Sequence, residues 1–471
     1  MDTNRQHAIV IGGSMSGMLA ARVLSDHFER VTIIDRDTMP ETAEHRNGTP
    51  QARHLHVLLA KGLQIIEDLF PNIQTEMTAL GATTQHWGNE TITYLERGVV
   101  TGTESAVRTR GISRTLLEWC VRERIKANTG IKLLERTLVK RLLTTDNNQQ
   151  VIGVETTEKG SSSPQSTELE ANLVVDVSGR TSQAPEWLST LGYGQVDETV
   201  INSFLGYATR WYKRPEALPK STKMITILSS PPDIPRGGVM MEVENGECIV
   251  TLAGVNRNYP PTDETGFLEF AHTLLSPAIY ALIKDAKPLS NIYGYQRTEN
   301  RWRHYEKFAR WPEGFMVLGD AACAFNPIYG QGMTTGALEA LALSEILRTY
   351  AGQNNIGMAK AFQNRLATVI KTPWLMATGE DLRYPGTEGG NIKWQDRVVQ
   401  KYIEQFMRAM PLYPEIGDNF AQVMHMLKPP STLFQPAIFV KVIQSLFMQQ
   451  KAAEMPTDLP RTNTNIPTPL G

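Results

Sequence analysis

The stretch "IGGSMSG", residues 11–17, decides how the rest of the chain is read. A strand-like run, Ala8 to Ile11, leads into it. An apolar helical pattern of Met15, Met18, Leu19, Val23 and Leu24 leads out. A glycine turn between strand and helix is the setting in which a dinucleotide pyrophosphate meets a helix N-terminus. There the first glycine permits a tight bend, the second lets backbone approach the phosphates, and the third lets helix and strand pack closely. Gly12 and Gly17 hold the first and third positions, and Ser14 stands at the second. Serine is small enough for that approach, and its hydroxyl can donate to a phosphate oxygen. A second strand, "VTIID", closes on Asp35, 23 residues after Gly12, where a carboxylate would accept from a ribose hydroxyl. The same residues also satisfy a plain strand–turn–helix that uses glycine only for geometry. The turn alone does not separate the two.

Bulk properties narrow the class. A chain of 471 residues is too long for one small core, so two or more domains are expected. Lys and Arg number 47 against 49 Asp and Glu, a balance that offers no electrostatic footprint for nucleic acid. Cys120, Cys248 and Cys323 form no CxxC pair, which suggests neither a disulfide framework nor a zinc site and fits a reducing compartment. No apolar run approaches the roughly 18–20 residues of a membrane span. The first strand begins within about seven residues, leaving no room for a signal peptide. A cytoplasmic protein is expected.

Along the chain, "ARHLHVLLAKGLQIIEDLF" (52–70) has helical periodicity, and "SRTLLEWCVRERIKANTG" (113–130) reads as an amphipathic helix with Ser113 as N-cap and Gly130 as its stop. Short strands follow around 131–157, and "LVVDVSG" spans 173–179. From about 196 to 300 strands and turns dominate. "GGVMMEVENGECIVTLAGV" reads as a hairpin turning at Asn245-Gly246. Helical patterns take over from residue 334, and the Pro-, Thr- and Asn-rich end, 451–471, reads as a flexible tail.

The glycine turn is decided three hundred residues later. "GFMVLGDAACAFNPIYGQGMTTGALEALALSEIL" (314–347) holds a short apolar strand ending at Gly319-Asp320, a loop with Asn326-Pro327 and Gly330-Gln331-Gly332, and then a helix. Asp320 sits where a strand end presents a carboxylate to a polyol. Gly330 to Met333 would aim backbone N–H groups at an anion-accepting ring edge. Together the two stretches resemble FAD-dependent monooxygenases of the aromatic-hydroxylase and squalene-epoxidase type, over most of residues 5–375.

The resemblance implies an α/β fold. A Rossmann-like FAD-binding domain of the p-hydroxybenzoate hydroxylase kind would comprise 1–75, 101–195 and 296–375. An inserted β-sheet substrate domain would comprise 76–100 and 196–295, and a helical C-terminal region 376–450. It implies FAD held by Gly12, Ser14, Gly17, Asp35, Arg36, Arg46, Arg114, Val139, Asp320, Gly332 and Met333, with Pro327, Gly330, Gln331 and Gly332 shaping the ring site. Arg46 and Arg114 equally read as solvated surface charges. "SGRTS" (178–182) departs from the hydroxylases' adjacent Asp-Gly, since Val177-Ser178 separate Asp176 from Gly179. That form looks like the epoxidase branch. Electrons would come from NADPH or NADH, directly or through a separate flavin reductase. "GGSMSGMLAARVLSDHFERVTIIDRD", "PQARHLHVLLAKGLQIIEDLFP" and "ATGEDLRYPGTEG" look most like bacterial polyether epoxidases.

The chemistry implied is delivery of one oxygen atom from O2, by way of a flavin C4a-hydroperoxide, to a lipophilic substrate. An alkene of a polyketide or isoprenoid fits best. Aromatic hydroxylation, or hydride transfer by a dehydrogenase or isoprenoid reductase, are the alternatives. Such chemistry needs a dry chamber with few titrating groups. Met224, Ile225, Ile227, Val239, Met241, Val243, Val250 and Leu252 could line or support it, although for each one plain core is the stronger reading. No protein nucleophile is required and no G-x-S-x-G is present. His54-x-His56 falls in a stretch read as helix, where i and i+2 share no face, so no metal site is expected. A halogenase is disfavoured because no W-x-W occurs, and a disulfide reductase because there is no second glycine turn. "FQPAIFVKVIQSLF" (434–447) reads as a helix packed on the catalytic domain. A helix lying on a membrane is less favoured because the segment is short and only Lys441 is basic.

Overall fold

The computed structural model describes residues 5–102, 104–160 and 165–448. The segment expected as a flexible tail, 451–471, lies outside them. Five parallel strands form the central sheet in the order Phe315–Val317, Leu173–Asp176, His7–Ile11, Arg30–Ile34, Ile131–Leu134. The first three are buried along their whole length, which is why they read as continuous apolar runs rather than alternating ones. Register places Ile11 beside both Ile34 and Asp176, and Asp176 beside Val317. The carboxyl ends of these strands therefore share one edge, and Gly12, Asp35, Val177 and Gly319 follow from it together. Ligands of open parallel sheets bind outside that edge.

Helices Met15–Leu24 and Gly332–Thr349 pack against one another beside the sheet. An antiparallel three-stranded sheet, Thr137–Thr144, Val151–Glu158 and Ser166–Glu170, flanks it. A seven-stranded mixed sheet runs Tyr293–Tyr295, Gly206–Lys213, Glu247–Gly254, Arg236–Glu242, Met224–Ile227, Thr91–Leu95, Gly98–Val100. The hairpin read at Asn245-Gly246 is present. Both residues take positive φ, 61° and 66°, as the tight turn between paired strands requires. Helices Trp394–Ala409, Pro414–Met424 and Pro436–Phe447 complete the fold.

Two boundaries differ from the sequence reading. The expected helix over 52–70 begins only at Ala60. Pro50–Arg53 form a 3-10 turn, and His54–Leu59 run extended along the sheet domain, where Trp211 Nε1 donates to the Arg53 carbonyl. Tertiary contact overrides the periodicity there. His54 and His56 are accordingly not on a helix. The expected helix over 113–130 is Arg114–Lys126, with the Ser113 hydroxyl accepting from Leu116 N–H as a cap. It ends before Gly130 because Asn128 bonds the Gly130 N–H into a local turn.

Candidate functional site

A cavity of about 1410 Å³ opens along the carboxyl edge of the parallel sheet. Single ligand pockets span roughly 300–1000 Å³, so this one exceeds the usual size. Gly12, Ser14, Gly17, Asp35, Arg36, Arg46, Arg114, Val139, Asp320, Pro327, Gly330, Gln331, Gly332 and Met333 all line it. Fourteen residues spread over three hundred positions thus meet on one wall.

The turn is built as its glycines demand. Gly12 has φ +109°, and a side chain there would drive a Cβ to 2.5 Å from the Val177 carbonyl oxygen. A Cβ on Gly17 would collide with the Gly12 carbonyl, which is the close helix–strand contact the third glycine allows. Asp35 is spent partly on this turn. Its Oδ2 accepts Gly13 N–H at 2.7 Å and its Oδ1 accepts Asp37 N–H at 2.9 Å. A carboxylate offers about four lone-pair positions, so acceptor capacity remains. The Ser14 hydroxyl donates to Glu118 Oε2 at 3.3 Å and accepts from Arg114 Nη2 at 2.8 Å, rather than pointing a free donor at a phosphate.

Glu118 was not singled out in the sequence, yet it organises this wall. Arg114 Nη2 donates to it at 2.8 Å and Arg46 Nη2 lies 2.9 Å away. Arg46 Nη1 also reaches Asp37 at 2.9 Å. These side chains are only 5–6% exposed, so Arg46 and Arg114 are not surface charges. Burial opposes ionisation of Glu118, but the two guanidinia overcome it and hold its carboxyl below the ordinary range. The one sequence signal was the i,i+4 spacing of Arg114 and Glu118.

At the next strand end, Gly319 takes φ +67° and its N–H donates to Glu339 Oε2 at 2.6 Å. Glu339 is buried in helix Gly332–Thr349, and burial raises its carboxyl to about 8. Asp320, by contrast, faces the cavity. Desolvation pushes its carboxyl up against the pull of Arg180 and Arg114. After Asn326 the chain makes a 3-10 turn, Pro327–Tyr329, then Gly330 at φ +63°, and enters the helix. A Cβ on Gly332 would meet no protein atom within 4 Å, so the helix start is open toward the cavity.

The far half of the cavity is apolar. Met224 and Val239 from the seven-stranded sheet line it together with Met376 of helix Met358–Asp381 and Ile403, Met407, Phe420 and Met424 of the C-terminal helices. Sequence reading found the sheet side and missed the helical side. The sheet residues divide between the chamber and plain core. Ile225, Ile227, Val250 and Leu252 alternate to the opposite face, packing on Phe267, Phe270 and Ile279, and Met241 and Val243 lie in a buried cluster behind Met224. Glu380, Asp418 and His425 also border the cavity. Glu380 is tied to Arg383 at 2.7 Å, and burial lowers His425 to about 3, which keeps its imidazole neutral. Its Nδ1 accepts the Ala60 N–H at 3.1 Å.

Residues 5–367 match the model of an FAD binding domain. The chain belongs to this FAD-binding family. It is 30% identical over 429 residues, 90% of each chain, to Protein Rv3254 of Mycobacterium tuberculosis. The flavin-dependent brominase Bmp2 shares the fold with TM-score 0.66 at 16% identity, over 94% of this chain and 99% of that one. So does PqsL of Pseudomonas aeruginosa, a probable FAD-dependent monooxygenase, with TM-score 0.59 at 14% identity over 80% and 98%. The expected fold class, an α/β flavoprotein with a helical C-terminal region, is the observed one.

The wall fits FAD. A glycine turn stripped of Cβ atoms, an acidic residue after the second strand and the open helix start at Gly332 line up along one cavity. Asp176 does not join them. Its carboxylate is fully buried and accepts from Ser178 N–H at 2.9 Å and the Ser182 hydroxyl at 2.5 Å. Among the described residues no group of three or more His, Cys, Asp or Glu is placed to hold a metal, and no helix is long and apolar enough to cross a membrane.

Proposed function

We propose that this protein is a flavin-dependent monooxygenase that inserts one oxygen atom from O2 into a lipophilic substrate, an alkene of a polyketide or isoprenoid in natural-product biosynthesis. The observation that carries the reading is the two-part cavity: a polar, glycine-lined half suited to FAD, continuous with an apolar half rich in methionine. When bound and reduced, FAD supplies the activation of O2.

The chain's own residues do the rest. Asp320 would accept from the ribityl hydroxyls, and Asp35 from the ribose. The N–H groups of the turn after Gly12 would hold the pyrophosphate beside Arg36, with Arg46 and Arg114 balancing charge and Val139 toward the adenine. Pro327 and Gly330–Met333 shape the ring site. Met224, Val239, Met376, Met407 and Phe420 would keep water out of the chamber, as the oxygen chemistry supplied by bound FAD requires. Methionine side chains adapt to a flexible apolar chain, which supports a polyene over a rigid ring and agrees with the resemblance to polyether epoxidases. The Asp176 carboxylate is committed to its own loop, which supports delivery of NADPH or NADH electrons through a separate flavin reductase.

The test is rapid mixing of anaerobically reduced protein with O2, followed by absorbance. A transient species preceding oxidised flavin, and its faster decay with a polyene, is expected. Slow direct reoxidation with and without polyenes, terpenes and phenols would overturn the reading in favour of hydride transfer.

A further inference from the structure

We infer that Asp381 is a positioning residue. From the end of helix Met358–Asp381 its carboxylate holds the side chain of Asn326, and through it the loop that carries Gly330, Gln331 and Gly332 to the flavin ring. The inference rests on the ring-loop placement proposed above and is independent of which substrate is oxidised.

Asn326 is bonded on every side. Its Nδ2 donates to both Asp381 carboxylate oxygens at 3.0 Å. Its backbone N–H donates to Asn300 Oδ1 at 2.7 Å, and its Oδ1 accepts from Ile328 N–H at 3.0 Å, capping the turn Pro327–Tyr329. Asn300 Nδ2 closes the ring of contacts by donating to Asp381 Oδ2 at 2.6 Å. All three side chains are buried. Two amide donors thus converge on one carboxylate, whose two oxygens accept and present no competing donor to either. Within the two turns before it on the same helix, Leu375, Met376 and Gly379 form part of the chamber wall. A single helix end therefore fixes both the apolar wall and the loop beneath the ring. A polar network this buried is costly unless fully satisfied, and here the cost falls on a loop with no regular sheet of its own to shape it.

Three variants loaded with FAD decide the matter: Asp381→Asn, the reciprocal pair Asp381→Asn with Asn326→Asp, and Gly332→Val. Visible absorption of the bound flavin, FAD dissociation constant and apoprotein melting temperature are measured for each. Asn at 381 presents an NH2 group to one of the two amides. We expect shifted flavin absorption maxima and FAD affinity weakened about tenfold. The reciprocal pair keeps one carboxylate facing one amide, and both readouts return toward wild type. Wild-type spectrum and affinity in Asp381→Asn would overturn the proposal, as would failure of the pair to restore either while its melting temperature recovers. If Asp381→Asn does not fold, the pair alone decides: a wild-type spectrum supports the proposal and an altered one overturns it. Gly332→Val reports on the loop itself. If it leaves FAD binding and spectrum unchanged, the ring-loop placement fails. If it alters them while Asp381→Asn does not, only the role of Asp381 fails.

Discussion

Glu339 accepts the Gly319 N–H at 2.6 Å from inside the helix that follows the ring loop. It thereby braces, from behind, the turn that presents Asp320 to the cavity. Burial, opposed by the Gly319 bond and reinforced by the nearby Asp320 charge, lifts its carboxyl from 4.5 to about 8. A raised carboxyl means the folded state holds a proton that the unfolded state releases. Stability from this group is therefore full below about pH 4.5 and is lost as pH rises toward about 8, by an amount on the order of a few kcal/mol. Glu339→Gln keeps the acceptor for Gly319 and removes the titration. Apoprotein melting temperatures measured from pH 5 to 8 should fall less steeply in the variant. Parallel slopes would show that Glu339 does not titrate there.

Breaking the buried ion cluster should be expensive. Arg114→Ala leaves Glu118 with Arg46 alone and removes the donor to the Ser14 hydroxyl. Stripping one partner from a buried pair costs about 3–5 kcal/mol. Urea unfolding should show a loss of that size together with weaker FAD retention. A loss below about 1 kcal/mol, the range of surface pairs, would contradict the burial argument.

Asp320→Ala removes an exposed carboxylate that faces the cavity. Hydrogen bonds to charged groups contribute about 1.5–3 kcal/mol, so FAD affinity should fall roughly tenfold to a hundredfold. The readout is titration of apoprotein with FAD, followed by flavin fluorescence. Unchanged affinity would remove Asp320 from the cofactor site.

Met407→Trp adds bulk to the helical wall of the chamber, away from the glycine turn. The variant should bind FAD as wild type does and react with O2 when reduced, yet lose the acceleration of reoxidation decay that a long polyene produces. Equal loss of FAD would mean that the chamber and the cofactor half are not separable.

The sequence by itself determined the parallel sheet, its glycine turn and the strand-end acidic residues. Each is a local matter: φ at Gly12 and Gly319, apolar runs too continuous for a half-exposed strand, and a cap at Ser113 all act within a few residues of themselves. The family resemblance carried by these motifs named fourteen residues, and all of them line one cavity. Only the tertiary structure decided the partners of those residues. Glu118 meets Arg46 across 72 positions, Glu339 meets Gly319, and Asp381 meets Asn326 across 55. It also decided which face of each substrate-sheet strand looks into the chamber, and that helix Met358–Asp381 and the helices after residue 394 supply the rest of its wall. The physical reason is the same in each case. Periodicity fixes which residues share a face, whereas burial of a charge or a methionine against a distant element is settled by packing that no local pattern encodes.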